Sequence, residues 1–283
     1  FEGAWGYHFY TMSAIWPLTE AARNCGIDIY CPEFKRMFEA PLRFTMPIMA
    51  LPAFNDSGQT NLSGGSSVYE IGYARYKDPV FLELITRSNR RNDFALFYGE
   101  PQLPEAGKRE WNSADYPNSG YAILAKGEGE DATWMALKYG PHGGGHGHPD
   151  KLNFVLCAKG KVIGYDPGTT RYGLPLQKEW HKTTIAHNTL PVDEDSQKPA
   201  EGRCIEFGSR NGVEYAVCEA GDIYDGVKFT RAVAMLDENL IVFIDQVNSD
   251  NEHTYDLAYH QRGKWAVRTA SPWDPPQKRG YMH

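Results

Sequence analysis

Apolar positions recur every three or four residues through the first part of the chain, then switch to alternation after about residue 118. GYHFYTMSAIWPLTEAARNCG carries the helical spacing and stops at Gly26, a residue suited to closing a helix. PEFKRMFEAPLRFTMPIMALP is a second amphipathic stretch, interrupted by Pro41 and Pro47. NDSGQTNLSGGSS reads as a polar, glycine-rich loop. SVYEIGYARYKDPVFLELITRSN predicts two shorter helices with a break near Pro79. Helices in series of this kind describe part of an α-helical array rather than a complete domain.

The second part has the rhythm of strands. YAILAKGEGEDATWMALKYG predicts two strands joined by a turn of Gly, Glu and Asp. LNFVLCAKGKVIGYDPG predicts another pair, turning near Lys159 and Gly160. VEYAVCEAG, FTRAVAMLD, NLIVFIDQVN and HTYDLAYHQRG continue the series. Short strands so spaced predict an antiparallel β-sandwich or barrel. The expected class is therefore α+β, with a helical region over 1–117 and an antiparallel β region over 118–283. No dinucleotide or phosphate-loop fingerprint appears, and no internal repeat.

The net charge of −7 argues against nucleic acid as a partner, while a local basic cleft would still suit a polyanionic substrate. No apolar run is long enough to span a membrane. The chain opens on Phe1 and stops after KRGYMH; both ends read as cuts, so the lack of a visible leader says nothing about location. Five cysteines (25, 31, 157, 204 and 218) show no CxxC spacing, so neither a zinc knuckle nor a redox motif is supported. Cys25 and Cys31 could pair; free buried thiols are the preferred expectation. The 17 Tyr and 7 Trp suit sugar stacking as well as core packing.

GPHGGGHGHPDK, at 140–151, concentrates imidazole and glycine. In an extended chain residues i and i+2 point to one side, so His146 and His148 could face one site, and the glycines leave room for a ligand. Downstream, YDPGTTRYG carries Asp166 and TTIAHNTLPVD carries His187. Two imidazoles and a carboxylate make a zinc-like donor set, although hydrogen bonding within a polar core would use the same groups. A cupin barrel also uses His-x-His, but Asp150, Lys151 and Leu152 follow here in place of the expected Glu.

HGHPDKLNFVLCAKGKVIGYDPGTTRYG, followed by WHKTTIAHNTLPVD, resembles the heparinase II/III-like polysaccharide lyases. EGAWGYHFYT resembles the family's tyrosine-bearing helix, and FTRAVAML, LIVFIDQV and YDLAYHQRG resemble its later strands. The best match is to the branch that includes oligoalginate lyases, with the heparin-degrading branches as the nearest rival. The resemblance implies the C-terminal part of an α/α toroid followed by an antiparallel β-sandwich, truncated at its C-terminal end. It implies β-elimination on a uronic-acid glycan, an acidic polysaccharide partner and a periplasmic or secreted location. It leaves the oligomeric state open. Tyr7 would be the general acid, with the base role also open to it, and His146 the base or carboxylate partner. His148, Asp166 and His187 would hold a structural zinc, with Asn188 and Thr189 considered as outer partners of a ligand. His8, Tyr10, Arg171, Tyr172 and Trp180 are candidates to touch substrate, and His142 and His260 are expected to be structural. The family's upstream Asn or His, which helps neutralise the substrate carboxylate, has no counterpart in this sequence. A non-catalytic carbohydrate-binding domain is the alternative from another functional class.

Overall fold

The computed structural model describes residues 3–62, 67–87, 91–263 and 280. Helix α1 (Trp5–Asn24) follows the predicted segment, and Gly26 beyond it takes the left-handed conformation (φ 79°). Helix α2 (Pro32–Arg43) starts on a proline, whose missing N–H costs nothing in a first turn. Pro41 sits inside its last turn, so only Pro47 lies beyond the helix. Helices α3 (Ser67–Tyr76) and α4 (Leu82–Thr86) flank Pro79 as expected. Helix α5 (Asp93–Phe97) is five residues long, too short to leave a period; the Asn92 side chain caps it by accepting from the Phe94 N–H. Residues 63–66 of the predicted polar loop, and the chain from 264 on except Gly280, lie outside the described residues. No helix among the described residues is long and apolar enough to cross a membrane.

Strands β1 (Ala50–Leu51) and β2 (Thr60–Asn61) pair and close a loop between them. A five-stranded antiparallel sheet follows in sequential order: β3 (Ala114–Tyr116), β4 (Tyr121–Lys126), β5 (Thr133–Lys138), β6 (Phe154–Ala158) and β7 (Lys161–Gly164). A four-stranded sheet is built from β8 (Arg203–Arg210), β9 (Val213–Glu219), β10 (Val227–Met235) and β11 (Ile241–Ser249). β3 begins a few residues before the expected boundary at 118.

Two faces of the first sheet feed two cores. Ile123, Trp134, Ala136 and Val155 pack with Trp5, Phe38 and Tyr69 of the helices. Leu124, Met135 and Leu137 pack with Phe229, Val233 and Met235 of the second sheet. The period of two sends alternate side chains to opposite layers, which is why β5 is buried at every position. Arg231, buried in β10, pairs with Asp245 and donates to the carbonyls of Leu152 and Asn188, which ties the second sheet to the loops of the first.

Two expectations need correction, and one strand has no counterpart among the predicted elements. HTYDLAYHQRG makes only isolated bridges, Val192 to Tyr255 and Gly164 to Gln261. Its alternation is real, but Tyr255, Leu257 and Tyr259 are exposed, and no strand of the described residues pairs along it. RCIEFGSR forms the edge strand β8, although Glu206, Gly208 and Ser209 blur its pattern and a bulge falls between Cys204 and Glu206. All five cysteines are free, yet only Cys157 and Cys218 are buried; Cys25 and Cys31 are exposed and Cys204 is intermediate.

Candidate active site

The histidine-rich loop runs from the end of β5 toward β6. A Cβ at Gly147 would collide with the His142 carbonyl oxygen, so the tight fold of this loop requires glycine there. The β1–β2 loop braces it from the helical side. The Asp56 N–H donates to the His146 carbonyl (3.1 Å), and the His148 N–H donates to Asn55 Oδ1 (3.2 Å). The turn after Asp166 presses on the same loop, where a Cβ at Gly168 would meet the Ser57 carbonyl. Three segments distant in sequence are thus held in one layer.

On the open side of this layer Tyr7, in the first turn of α1, stacks on His146 with ring centroids 4.0 Å apart. The hydroxyls of Tyr7 and Tyr172 share a hydrogen bond of 2.9 Å. Tyr172 also donates to Asp56 Oδ2 (3.1 Å), and its oxygen lies 3.3 Å from His146 Nδ1. Burial, the bond to Tyr7 and the Asp56 charge all push the Tyr172 phenol up, so it stays protonated. Tyr7, His146 and Tyr172, separated by up to 165 residues, are therefore brought together by the fold.

Asp56 was not foreseen. Its carboxylate is 1% exposed and lies 3.1 Å from His146 Nδ1, 3.0 Å from His148 Nε2 and 3.1 Å from Lys182 Nζ. Burial alone would raise its pKa; the bonds from His148, His146 and Lys182 outweigh that and hold it well below the usual carboxylate range. The only local signal was an Asp in a polar loop, which reads as a turn residue.

Behind the histidine loop lies a buried polar cluster. Asp150, Asp166 and His187, all buried, offer ligand atoms within 4.8 Å of one another. This group contains Asp150 where the sequence pointed to His148; Asp150 also holds Lys138 in a buried ion pair of 2.6 Å. His148 stands beside the group, its ring centroid 5.3 Å from that of His187. His148 Nδ1 and Asp150 Oδ2 are buried with no hydrogen-bond partner. His187 Nε2 faces the His181 carbonyl (3.1 Å) and its Nδ1 faces Asp166 Oδ2 (3.2 Å). Both ring nitrogens thus meet acceptors, which demands an extra proton or a cation at Nδ1. Burial opposes charging this ring, but the Asp166 charge and bond win and raise its pKa. An orphaned nitrogen, an orphaned oxygen and a nitrogen turned on a carboxylate fit a zinc ion bound by imidazole and carboxylate.

The remaining candidates divide. Arg171 is exposed beside Tyr172, and Tyr10 is 75% exposed one turn along α1 from Tyr7. His8 belongs to the helical packing instead: its Nε2 meets the Met37 carbonyl at 2.8 Å and burial lowers its pKa. Trp180 packs edge-on against His260, whose Nε2 meets the Ile185 carbonyl. His260 is thus structural as expected; His142 is partly buried, and burial lowers its pKa. Asn188 and Thr189 are not outer partners of His187: Asn188 donates to Phe154 and Tyr165 carbonyls, and Thr189 to that of Lys151.

Comparison with known proteins fits this geometry. The family description Heparinase II/III-like, C-terminal, matches residues 108–272. An alginate lyase of Stenotrophomonas maltophilia is 35% identical over 172 residues, 53% of this chain and 23% of that protein. A heparin-sulfate lyase of Bacteroides stercoris is 24% identical over 234 residues, 81% of this chain and 33% of that protein. The crystal structure of a heparan sulfate lyase from Pedobacter heparinus superposes with a TM-score of 0.76 at 19% identity, covering 93% of this chain and 40% of that one. The chain thus spans between about a quarter and a third of the length of these curated relatives. With the family match covering more than half of its residues, the chain belongs to the heparinase II/III-like family.

Proposed function

We propose that the protein is a polysaccharide lyase that cleaves a uronic-acid glycan by β-elimination. The observation that carries the reading is the stacking of Tyr7 on His146 at the open face of the site. β-Elimination breaks the C5–H and C4–O bonds and forms the C4–C5 double bond. It needs a base for the C5 proton, an acid for the leaving oxygen and neutralisation of the carboxyl group, whose charge would otherwise oppose loss of that proton. His146 takes the C5 proton and the Tyr7 hydroxyl gives its proton to O4. Tyr172 stands between the two, 2.9 Å from the Tyr7 hydroxyl and 3.3 Å from His146 Nδ1, and holds the Tyr7 hydroxyl in place. A bound zinc, held by Asp166 and His187 with His148 and Asp150 beside them, would supply charge that cross-links the loops behind the base. The helices are read as the end of an α/α toroid.

The substrate we favour is alginate or its oligosaccharides. Sulfated chains call for dense Arg and Lys, whereas Lys182 beside the site is already paired with Asp56. The similarity to an alginate lyase supports the same choice. Heparan sulfate is the second reading, favoured by the match to a heparin-sulfate lyase over most of the chain. A periplasmic or secreted location goes with this reading. The test is an ultraviolet assay for the unsaturated uronate, with the full-length protein on alginate, heparan sulfate and hyaluronan. A rise with alginate is expected. A rise with heparan sulfate alone would replace the substrate, and none on any polymer would leave a carbohydrate-binding domain.

A further inference from the structure

We propose that Asp56 is a positioning residue that locks His146 and His148 into opposite tautomers, placing the lone pair of His146 on Nε2 and that of His148 on Nδ1. The buried carboxylate is surrounded by hydrogen-bearing groups: His146 Nδ1 at 3.1 Å, His148 Nε2 at 3.0 Å, the Tyr172 hydroxyl at 3.1 Å, Lys182 Nζ at 3.1 Å and the Thr169 hydroxyl at 3.3 Å. An ionised carboxylate only accepts. Each ring nitrogen facing it therefore carries a hydrogen, since a lone pair there would be repelled. In the neutral rings that puts the hydrogen of His146 on Nδ1 and its basic lone pair on Nε2. It puts the hydrogen of His148 on Nε2 and its lone pair on Nδ1, the atom buried without a partner.

The same count orients the tyrosines. A phenol has one hydrogen, and that of Tyr172 goes to Asp56. In its 2.9 Å bond with Tyr7 it can then only accept, so Tyr7 is the donor and carries the transferable proton. One side chain thus sets the direction of every hydrogen bond from the acid to the metal ligand. It reaches the site from the helical side, 90 residues before His146.

The tautomer assignment stands independently of the lyase reading; its kinetic consequence rests on it. The test uses the full-length protein with 15N-labelled histidine and ring nitrogen–proton correlation spectra, assigned with His146→Ala and His148→Ala. Wild type should give Nδ1–H for His146 and Nε2–H for His148; the reverse at either ring overturns the proposal. Asp56→Asn keeps the shape but brings an amide donor to one histidine. Zinc affinity by chelator competition should fall roughly 10–100-fold. With zinc saturating, kcat should fall on the order of 100-fold with KM within about twofold. A variant with a lowered melting temperature but wild-type zinc affinity and zinc-saturated kcat would make Asp56 merely structural and overturn the proposal. If Asp56→Asn does not fold, the wild-type spectra decide. If wild type cleaves no uronate polymer, the lyase reading fails while spectra and zinc affinity still judge Asp56.

Discussion

One glycine separates His146 from His148, yet the two rings occupy different solvents. The His146 side chain is 29% exposed and shares an open face with two phenols. His148 is 0% exposed and borders a cluster of buried charge. Burial lowers the pKa of His148, as it must when a ring would have to charge in low dielectric. An open face and a cluster of buried charge are thus built from one loop. Exposure, rather than residue type, distinguishes the two rings.

The division can be broken from either side. His146→Ala should cost the most, a loss of kcat of roughly a thousandfold or more, about 4 kcal/mol in the barrier, with the melting temperature nearly unchanged. His187→Ala should do the reverse: metal content by elemental analysis falls and chemical denaturation shows a loss of about 3–5 kcal/mol, because the buried Asp166 charge loses its imidazole partner. His148→Ala should likewise lose metal and stability. Equal folding and metal content in the His146 and His148 variants would refute the division.

Lys151 sharpens the comparison. It is buried with no partner for its amine, and burial followed by the Lys138 charge depresses its pKa to about 8. A lysine with a folded pKa below its unfolded value of roughly 10.4 subtracts stability where both states are charged, below about pH 8. That cost fades as pH rises toward the unfolded value. Lys151→Met should therefore stabilise by about 2 kcal/mol at neutral pH, and the gain should shrink when denaturation is repeated near pH ~10. The smallest effect is expected from Tyr172→Phe, which keeps the ring and removes the hydroxyl that accepts from Tyr7: kcat falls about tenfold, roughly 1.4 kcal/mol, with zinc retained.

Much of this was legible in the chain. The change of period located the helices and most strands, since each is long enough to repeat its pattern. Tyr7, His146, Asp166 and His187 stood out because they sit in motifs whose combination is distinctive. Asp56 and Asp150 did not, because an aspartate in a turn looks the same whether it faces water or a histidine. Their roles arise from contacts across the fold: Asp56 meets residues 90 or more positions away. His8 and Trp180 misled for the opposite reason, being polar or aromatic residues beside a motif that the fold turns toward their own neighbours.

The middle sheet, lined on both sides, has a bearing on how the protein comes apart. Trp134 belongs to the helical core and Met135 to the sandwich core, one peptide bond apart on the same strand. Neither layer can loosen without exposing the back of the other. Heating should therefore give a single cooperative transition for helical and sheet signals alike, and a cavity cut on either side of that strand should lower both together.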